Sequence, residues 1–334
     1  MSTSVRIGFF IQHFPPYLGG AERQARLLAL QLVAEGNLVE VLTTRYSKAL
    51  DKQTIDEGLA VKRLPTLSPR WLKLPVNFIL GFSYGLAVAG RVDLFHGHCL
   101  SPFCLGALLA ARLRRRPMAI KICSIGTEGD IARIRGFGPG TFFWRLFRGA
   151  DLFFAPTSDV AKELISEGVH PERIGVFPNA MAGKVSLPST SERIALRHRL
   201  GLGNRVTLLY VGRLHPGKGL ASLREVWPKI ASRCDAQLLI VGDGEEMGIF
   251  SDWRERLPEK QRVYLTGHQR DPSLYYRASD IFVFPSLSET FGNVVIEAMS
   301  HGLAIVTTAV GVVREWGDEA PVIKVGIGDS SALS

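Results

Sequence analysis

Short, continuously apolar runs alternate along this chain with longer stretches of helical periodicity. The runs Val5–Ile11, Leu38–Thr43, Leu94–His96, Ala119–Ile122, Leu152–Ala155 and Ile174–Phe177 predict one series of strands. A second series is predicted at Val206–Val211, Gln237–Val241, Val263–Thr266, Ile281–Phe284, Ala304–Thr308 and Val322–Val325. Unbroken apolar runs mark strands covered on both faces, as in parallel sheets. Between them the spacing predicts helices; Ala21–Glu35 sets Leu27, Leu28 and Leu32 on one side and stops at Gly36. This β–α repetition predicts two doubly wound parallel-sheet α/β domains. A Gly/Pro/Ser-rich stretch at Ala182–Ser191 separates the series, giving domains over residues 1–183 and 184–334. Ligands in such sheets bind beyond the carboxyl ends of the strands, so a cleft between the domains is the expected site.

With 334 residues, 46% hydrophobic and 21% charged, the chain is neither disordered nor fibrous. The formal net charge of +9 favours an anionic partner: phosphate, nucleic acid or an acidic membrane surface. Most of it comes from residues 112–148, where Arg112, Arg114, Arg115, Arg116, Lys121, Arg133, Arg135, Arg145 and Arg148 outnumber Glu128 and Asp130. The interleaved Phe137, Phe142, Phe143, Trp144 and Phe147 suggest a membrane- or acceptor-facing surface; a plain solvated face is the competing reading. Cys99, Cys104, Cys123 and Cys234 are too few and too scattered for a disulfide scaffold, and they lack zinc-site pairing. They suit a reducing, cytoplasmic home. The first residues, MSTSVRIGFF, enter a strand directly, so no signal peptide is expected. The apolar stretch from Val76 to Gly90 is shorter than the roughly 20 residues a bilayer requires and predicts a buried helix.

Three segments could carry chemistry. In HFPPYLGGAERQ, Gly19 and Gly20 precede a helix, so backbone N–H groups can approach a phosphate or sugar, unless the pair is a plain turn. The strand TLLYVGR runs into LHPGKGL, placing Arg213 and Lys218 on a turn with Gly212, Gly217 and Gly219. Two cations there suit a diphosphate, whose leaving charge they can stabilise, although the turn is not a Walker A sequence. In SLSETFGNVVIEAM, a loop carrying Glu289 and Gly292 precedes a helix from about Asn293, with Glu297 one turn inside. The free N–H groups and dipole at that helix end suit a phosphate, and the flanking carboxylates suit sugar hydroxyls. The plainer alternative makes Glu289 a cap and Glu297 a surface residue.

Together the Glu289–Glu297 E-x7-E segment, the VGRLHPGKG turn, the Gly-Gly loop and Pro178–Asn179–Ala180 resemble family-four retaining glycosyltransferases of the GT-B fold. The likeness runs from Gly19 to about Gly328. It implies two Rossmann-like domains facing across a cleft, the first binding acceptor and the second a nucleotide-sugar donor. It implies retaining transfer of a hexosyl-type sugar from a nucleotide-diphosphate sugar to an acceptor hydroxyl, without metal or cofactor. The basic, aromatic stretch 112–148 adds the expectation of a lipid-linked or cell-surface glycan acceptor and, with the cysteines, of a cytoplasmic protein peripheral at the inner membrane face. By that resemblance Arg213 and Lys218 neutralise the diphosphate, and Glu289 contacts sugar hydroxyls near the reacting carbon. Glu297 would bind the ribose, amides of Phe291, Gly292, Asn293 and Val294 the phosphate, and Gly19 and Gly20 would meet the donor. His98, after VDLFHGH, is either an acceptor-side catalytic group or a structural histidine. No two aspartates stand two positions apart, so the D-x-D metal motif is absent.

Two departures stand out. Many members carry a histidine after the strand corresponding to Ala119–Ile122, where this chain has Cys123 or Ser124. The final VGIGDSSALS would begin a helix that the family continues, so a truncated end is expected. These features keep open a noncatalytic nucleotide-sugar or glycan-binding protein. A dinucleotide-dependent oxidoreductase fits less well, because GDGEEMG spaces its glycines as G-x-G-x-x-x-G. Nucleic-acid binding rests on charge alone.

Overall fold

The computed structural model describes residues 4–17, 19–65, 70–181 and 187–333. The chain divides into two compact units, residues 1–180 and 181–334. The first contains strands β1 (Arg6–Ile11), β2 (Leu38–Arg45), β3 (Gln53–Asp56), β4 (Leu59–Pro65), β5 (Leu94–His98), β6 (Met118–Lys121), β7 (Leu152–Ala155) and β8 (Ile174–Val176). Its helices are α1 (Gly20–Ala34), α2 (Arg70–Val88), α3 (Pro102–Leu113), α4 (Asp130–Arg135), α5 (Gly140–Phe147) and α6 (Ser158–Ser166). Among the described residues the strands form one sheet ordered β3-β4-β2-β1-β5-β6-β7-β8, parallel except for the β3–β4 hairpin. The winding direction reverses between β1 and β5, where Ile11 stands beside His98. Phe9, Phe10, Phe95 and Phe153 are fully buried, as expected of strands covered on both faces.

The stretch from Val76 to Gly90 supplies most of α2, but the helix is covered on one side only: Ile79 is 58% exposed. Its glycines explain the composition. A Cβ on Gly81 would lie 2.0 Å from the Phe103 carbonyl oxygen, and one on Gly106 would lie 2.1 Å from that of Phe78. Glycines on both helices thus let the α2 and α3 backbones touch. Among the described residues no helix is long and apolar enough to cross a membrane.

The basic stretch 112–148 is less of a surface than its sequence suggests. On amphipathic α5, Trp144 and Phe147 fall three residues apart and point into the core, and Phe137 and Phe143 pack against it. Phe142 is the aromatic left outward, 57% exposed. Lys121 and Asp130 are buried, and Arg133 and Arg135 pair with Asp130 and Glu167.

The second unit contains β9 (Val206–Val211), β10 (Ala236–Val241), β11 (Val263–Leu265), β12 (Ile281–Phe284), β13 (Ala304–Thr308) and β14 (Ile323–Val325). Its helices are α7 (Thr190–Arg199), α8 (Leu220–Arg233), α9 (Met247–Glu255), α10 (Ser273–Ala278), α11 (Asn293–Ser300) and α12 (Val312–Glu315). The described strands are all parallel and ordered β11-β10-β9-β12-β13-β14. Counted within this unit the order is 3-2-1-4-5-6, the dinucleotide-fold winding, with its switch point between β9 and β12. All six residues of β10 are buried.

Of the expected boundary stretch, residues 182–186 lie outside the described residues. Ser189 belongs to the second unit as the cap of α7: its Oγ accepts from the Glu192 amide, and the Glu192 carboxylate accepts from the Ser189 amide. Arg193 and Arg197 of α7 then pair with Asp280 at the start of β12.

Candidate functional site

At the switch point of the second unit, three loops leave the carboxyl ends of adjacent strands. The loop after β9 carries Arg213 and makes a single 3-10 turn at Pro216–Lys218. His215 fixes that turn, its Nδ1 accepting from the Gly217 amide at 3.1 Å. Gly219 follows with φ +64, and a Cβ there would lie 1.9 Å from the Pro285 carbonyl oxygen. Only glycine permits that approach. The turn is joined to the loop after β12 by the Leu287 amide donating to the Gly217 carbonyl at 3.0 Å. Ser286 Oγ lies 3.3 Å from the same carbonyl, and Thr308 Oγ donates to the Ser286 carbonyl from β13.

This bracing delivers Lys218 Nζ to 2.5 Å from Glu289 Oε1, both side chains largely covered. Ser286 Oγ also donates to Glu289 Oε1, at 3.2 Å. Two residues 71 apart in sequence therefore form one charged cluster because β9 and β12 are neighbours. Arg213 is exposed at the mouth of the same loop.

Helix α11 begins directly after this cluster. Gly292 caps it with φ +89, and Phe291 behind it is buried. A Cβ on Gly311 would lie 2.4 Å from the Phe291 carbonyl oxygen, so the loop after β13 closes the back of this helix end. The structure thus brings Lys218, Glu289, Phe291, Gly292, Asn293 and Val294 to one edge of the sheet. One turn into the helix, Glu297 is 7% exposed and accepts from the Tyr276 hydroxyl at 3.1 Å. Tyr276 in turn stacks on His301, with ring centroids 5.0 Å apart. Glu297 is therefore an oriented, mostly buried carboxylate rather than a surface residue.

The sequence reading missed Glu246. Its loop, after β10, packs against the β9 loop: the Leu214 amide donates to the Asp243 carbonyl, and the Glu246 amide donates to the Leu214 carbonyl. Glu246 Oε2 is buried without a hydrogen-bond partner. Burial first, then the Glu289 and Glu246 carboxylates, push the Tyr210 phenol well above its ordinary pKa. The signal was the GDGEE loop after a strand, weighed only as a dinucleotide motif.

In the first unit the Gly-Gly loop and His98 meet at the other switch point. Gly19 and Gly20 are exposed at the start of α1, and a Cβ on Gly19 would lie 2.1 Å from Glu22 Oε2. The Glu22 carboxylate therefore folds over the amino end of its own helix, a partner the sequence reading did not foresee. His98, the last residue of β5, lies against the Ala21 backbone. It is 1% exposed, its Nδ1 lies 3.4 Å from His96 Nε2, and its own Nε2 makes no hydrogen bond. Burial, then His96 and Lys121, hold His98 well below the ordinary histidine pKa, so its imidazole is neutral. Lys121 Nζ donates to Asn179 Oδ1 at 2.6 Å, which ties the Pro-Asn-Ala segment to the end of β6.

The cysteines depart from expectation. Cys99 and Cys123 form a disulfide with Cα atoms 5.2 Å apart. Separated by 24 positions, they look scattered in sequence, but they follow neighbouring strands β5 and β6. The cysteine argument for a reducing home therefore falls away.

Residues 18–182 match the family model of Glycosyltransferase Family 4, and residues 205–334 match that of Glycosyl transferases group 1. The chain belongs to this glycosyltransferase family. The glycosyltransferase is 26% identical over 331 residues to the gpi3 subunit of phosphatidylinositol N-acetylglucosaminyltransferase from Schizosaccharomyces pombe, covering 90% of this chain and 65% of that one. It is 25% identical to an alpha-monoglucosyldiacylglycerol synthase of Streptococcus pneumoniae, covering 90% of this chain and 70% of that enzyme. The chain thus spans about two thirds of the length of these relatives. In fold it is similar to Anabaena HepE, crystallised with UDP-glucose, at a TM-score of 0.78 and 20% identity, covering 98% of this glycosyltransferase and 87% of HepE. Its two parallel-sheet α/β units are those of the GT-B fold.

Proposed function

We propose that this glycosyltransferase moves a hexosyl-type sugar from a nucleoside-diphosphate sugar to an acceptor hydroxyl, with retention at the anomeric carbon. The second unit would take the donor and the first the acceptor. One observation carries the reading: Lys218 and Glu289 are held together at the switch point, directly before the amino end of α11. Arg213 and Lys218 would offset the charge that develops on the departing diphosphate, and the amides of residues 291–294 would hold its phosphate oxygens. Glu289 would take the sugar hydroxyls, releasing Lys218 to the diphosphate. Glu297, oriented by Tyr276, would take the ribose hydroxyls. The acceptor hydroxyl would attack on the face from which the diphosphate leaves and pass its proton to that phosphate. Catalysis would then rest on position and charge, with neither a protein base nor a metal.

A lipid-linked acceptor is supported by the two relatives, both named for reactions on lipids. Exposed Arg114, Arg115, Arg145 and Phe142 suit a protein peripheral at the cytoplasmic face of an anionic membrane. Flotation with anionic vesicles at low salt would show binding that Arg114→Glu/Arg115→Glu removes; no flotation of the parent protein would remove the membrane from the account.

The test of function is incubation with UDP-, GDP- and ADP-sugars and lipid acceptors, with product anomers read by NMR. An α-linked product from an α-linked donor is expected. Donor binding with neither product nor hydrolysis would replace this reading with a noncatalytic nucleotide-sugar-binding protein.

A further inference from the structure

Parallel sheets present ligands and reactive groups beyond the carboxyl ends of their strands. In the first unit that position holds a sulfur pair that the transfer reading does not use. Cys99 follows His98 at the end of β5, and Cys123 lies two residues past the end of β6. Both are half-buried, within reach of small thiols. Cys104, by contrast, is fully buried, and burial pushes its thiol up to about 12, which makes it inert.

Three further features make the pair more than a staple. Cys99 has φ +63, a left-handed backbone uncommon for a residue with a side chain and frequent at functional sites. Its amide donates to the Lys121 carbonyl at 3.0 Å, which holds the ends of β5 and β6, and with them the two cysteines, side by side. Finally, a ring nitrogen of His98 and the two sulfurs all lie within 4.8 Å of one another, while His98 Nε2 makes no hydrogen bond.

We propose that Cys99 and Cys123 are a reversible thiol–disulfide pair that sets the state of His98. In oxidation a thiolate of the pair attacks a low-molecular-weight disulfide and expels one small thiol. The second cysteine then attacks the mixed disulfide and expels the other. Two electrons pass to the small disulfide, and the two cysteine protons end on the released thiols or in solvent. When the sulfurs are bonded to each other, neither carries a proton for the imidazole. When they are reduced, an S–H stands beside it and can donate to the ring. The backbone tolerates either state, because buried Asp130 holds the Cys123 amide at 2.8 Å and Ser124 Oγ at 2.8 Å independently of the sulfurs.

The test equilibrates the folded protein with reduced and oxidised glutathione, quenches with acid, and alkylates in denaturant. Two blocked thiols linked as 99–123 at the oxidising end and four free thiols at the reducing end are expected, joined by one reversible transition. Four free thiols throughout, a 99–123 link that excess dithiothreitol leaves intact in the folded protein, or thiols protected by co-purified zinc would each overturn the pair. Histidine-labelled protein should show the His98 ring resonances moving on reduction; if they stay fixed, the link to His98 fails. The turnover arm alone rests on the transfer reading. Reduced and oxidised forms should differ at least threefold in turnover, and Cys99→Ser and Cys123→Ser should abolish the response. Equal turnover would overturn a role in the reaction, whereas a protein without any turnover would sink the transfer reading and leave the thiol and histidine arms to decide the pair.

Discussion

Lys218 Nζ stands 2.5 Å from Glu289 Oε1, so the cation expected to meet a diphosphate is already matched by the carboxylate expected to meet the sugar. A donor that engages both must separate them, exchanging one partly covered ion pair for two sets of ligand contacts. Glu289→Gln keeps the shape and the Ser286 donation but removes the charge facing Lys218. Nucleoside-diphosphate affinity should hold or tighten in this variant while transfer falls about 10²-fold or more. Calorimetry beside a product assay reads both, and transfer near the parent rate would remove Glu289 from the reaction.

Gly219 sets the geometry of that pair. Alanine would need a left-handed backbone at φ +64 and would drive its Cβ onto the Pro285 carbonyl. We expect Gly219→Ala to cost about 2 kcal/mol or more and to lower the melting temperature of the second unit by roughly 4–8 °C. Transfer should fall with it. Calorimetric melting checks this; an unchanged melting temperature would mean that the turn moves freely.

Tyr276→Phe keeps the stack on His301 but removes the hydroxyl that donates to buried Glu297. Loss of one partner from a buried carboxylate should cost about 1–3 kcal/mol. If Glu297 holds the nucleotide rather than the reacting carbon, donor KM should rise several-fold while kcat stays within about twofold. A fall confined to kcat would place Glu297 elsewhere in the reaction.

Much of this was legible in the sequence, for a definite reason. Strands covered on both faces leave unbroken apolar runs, so β9, β10 and β12 and the loops after them could be placed. Strands β3 and β4 left no such run. Gln53–Asp56 is an edge strand with Ile55 81% exposed, and Leu59–Pro65 carries Lys62 and Arg63 among its apolar residues. Their hairpin turns on Glu57 and Gly58, both with positive φ. Pairings between loops were equally silent, because sheet adjacency creates them: the Cys99–Cys123 link, and Glu246 beside the β9 loop. The stretch 112–148 misled because charge and aromatic content do not reveal that Trp144 and Phe147 turn inward.

Lys121 offers a pH test. Burial lowers its pKa from 10.5 to about 8, so between these values the unfolded chain binds a proton that the folded chain has lost. Stability contributed at this site should therefore rise with pH across that window, as the penalty of burying the charge is relieved. Denaturant titrations of the parent protein and Lys121→Met should diverge from pH 8 to 10.5 in favour of the parent, by up to about 3 kcal/mol. Parallel curves would show that the lysine is solvated.

The central claim is that the β9 turn and the amino end of α11 grip a pyrophosphate. Titration calorimetry with matched nucleoside mono- and diphosphates tests it most directly. The account predicts that the diphosphate binds at least about tenfold tighter, a difference of about 1.4 kcal/mol, and that Lys218→Ala removes most of this margin. Equal affinity for the two, or a margin untouched by loss of Lys218, would contradict it.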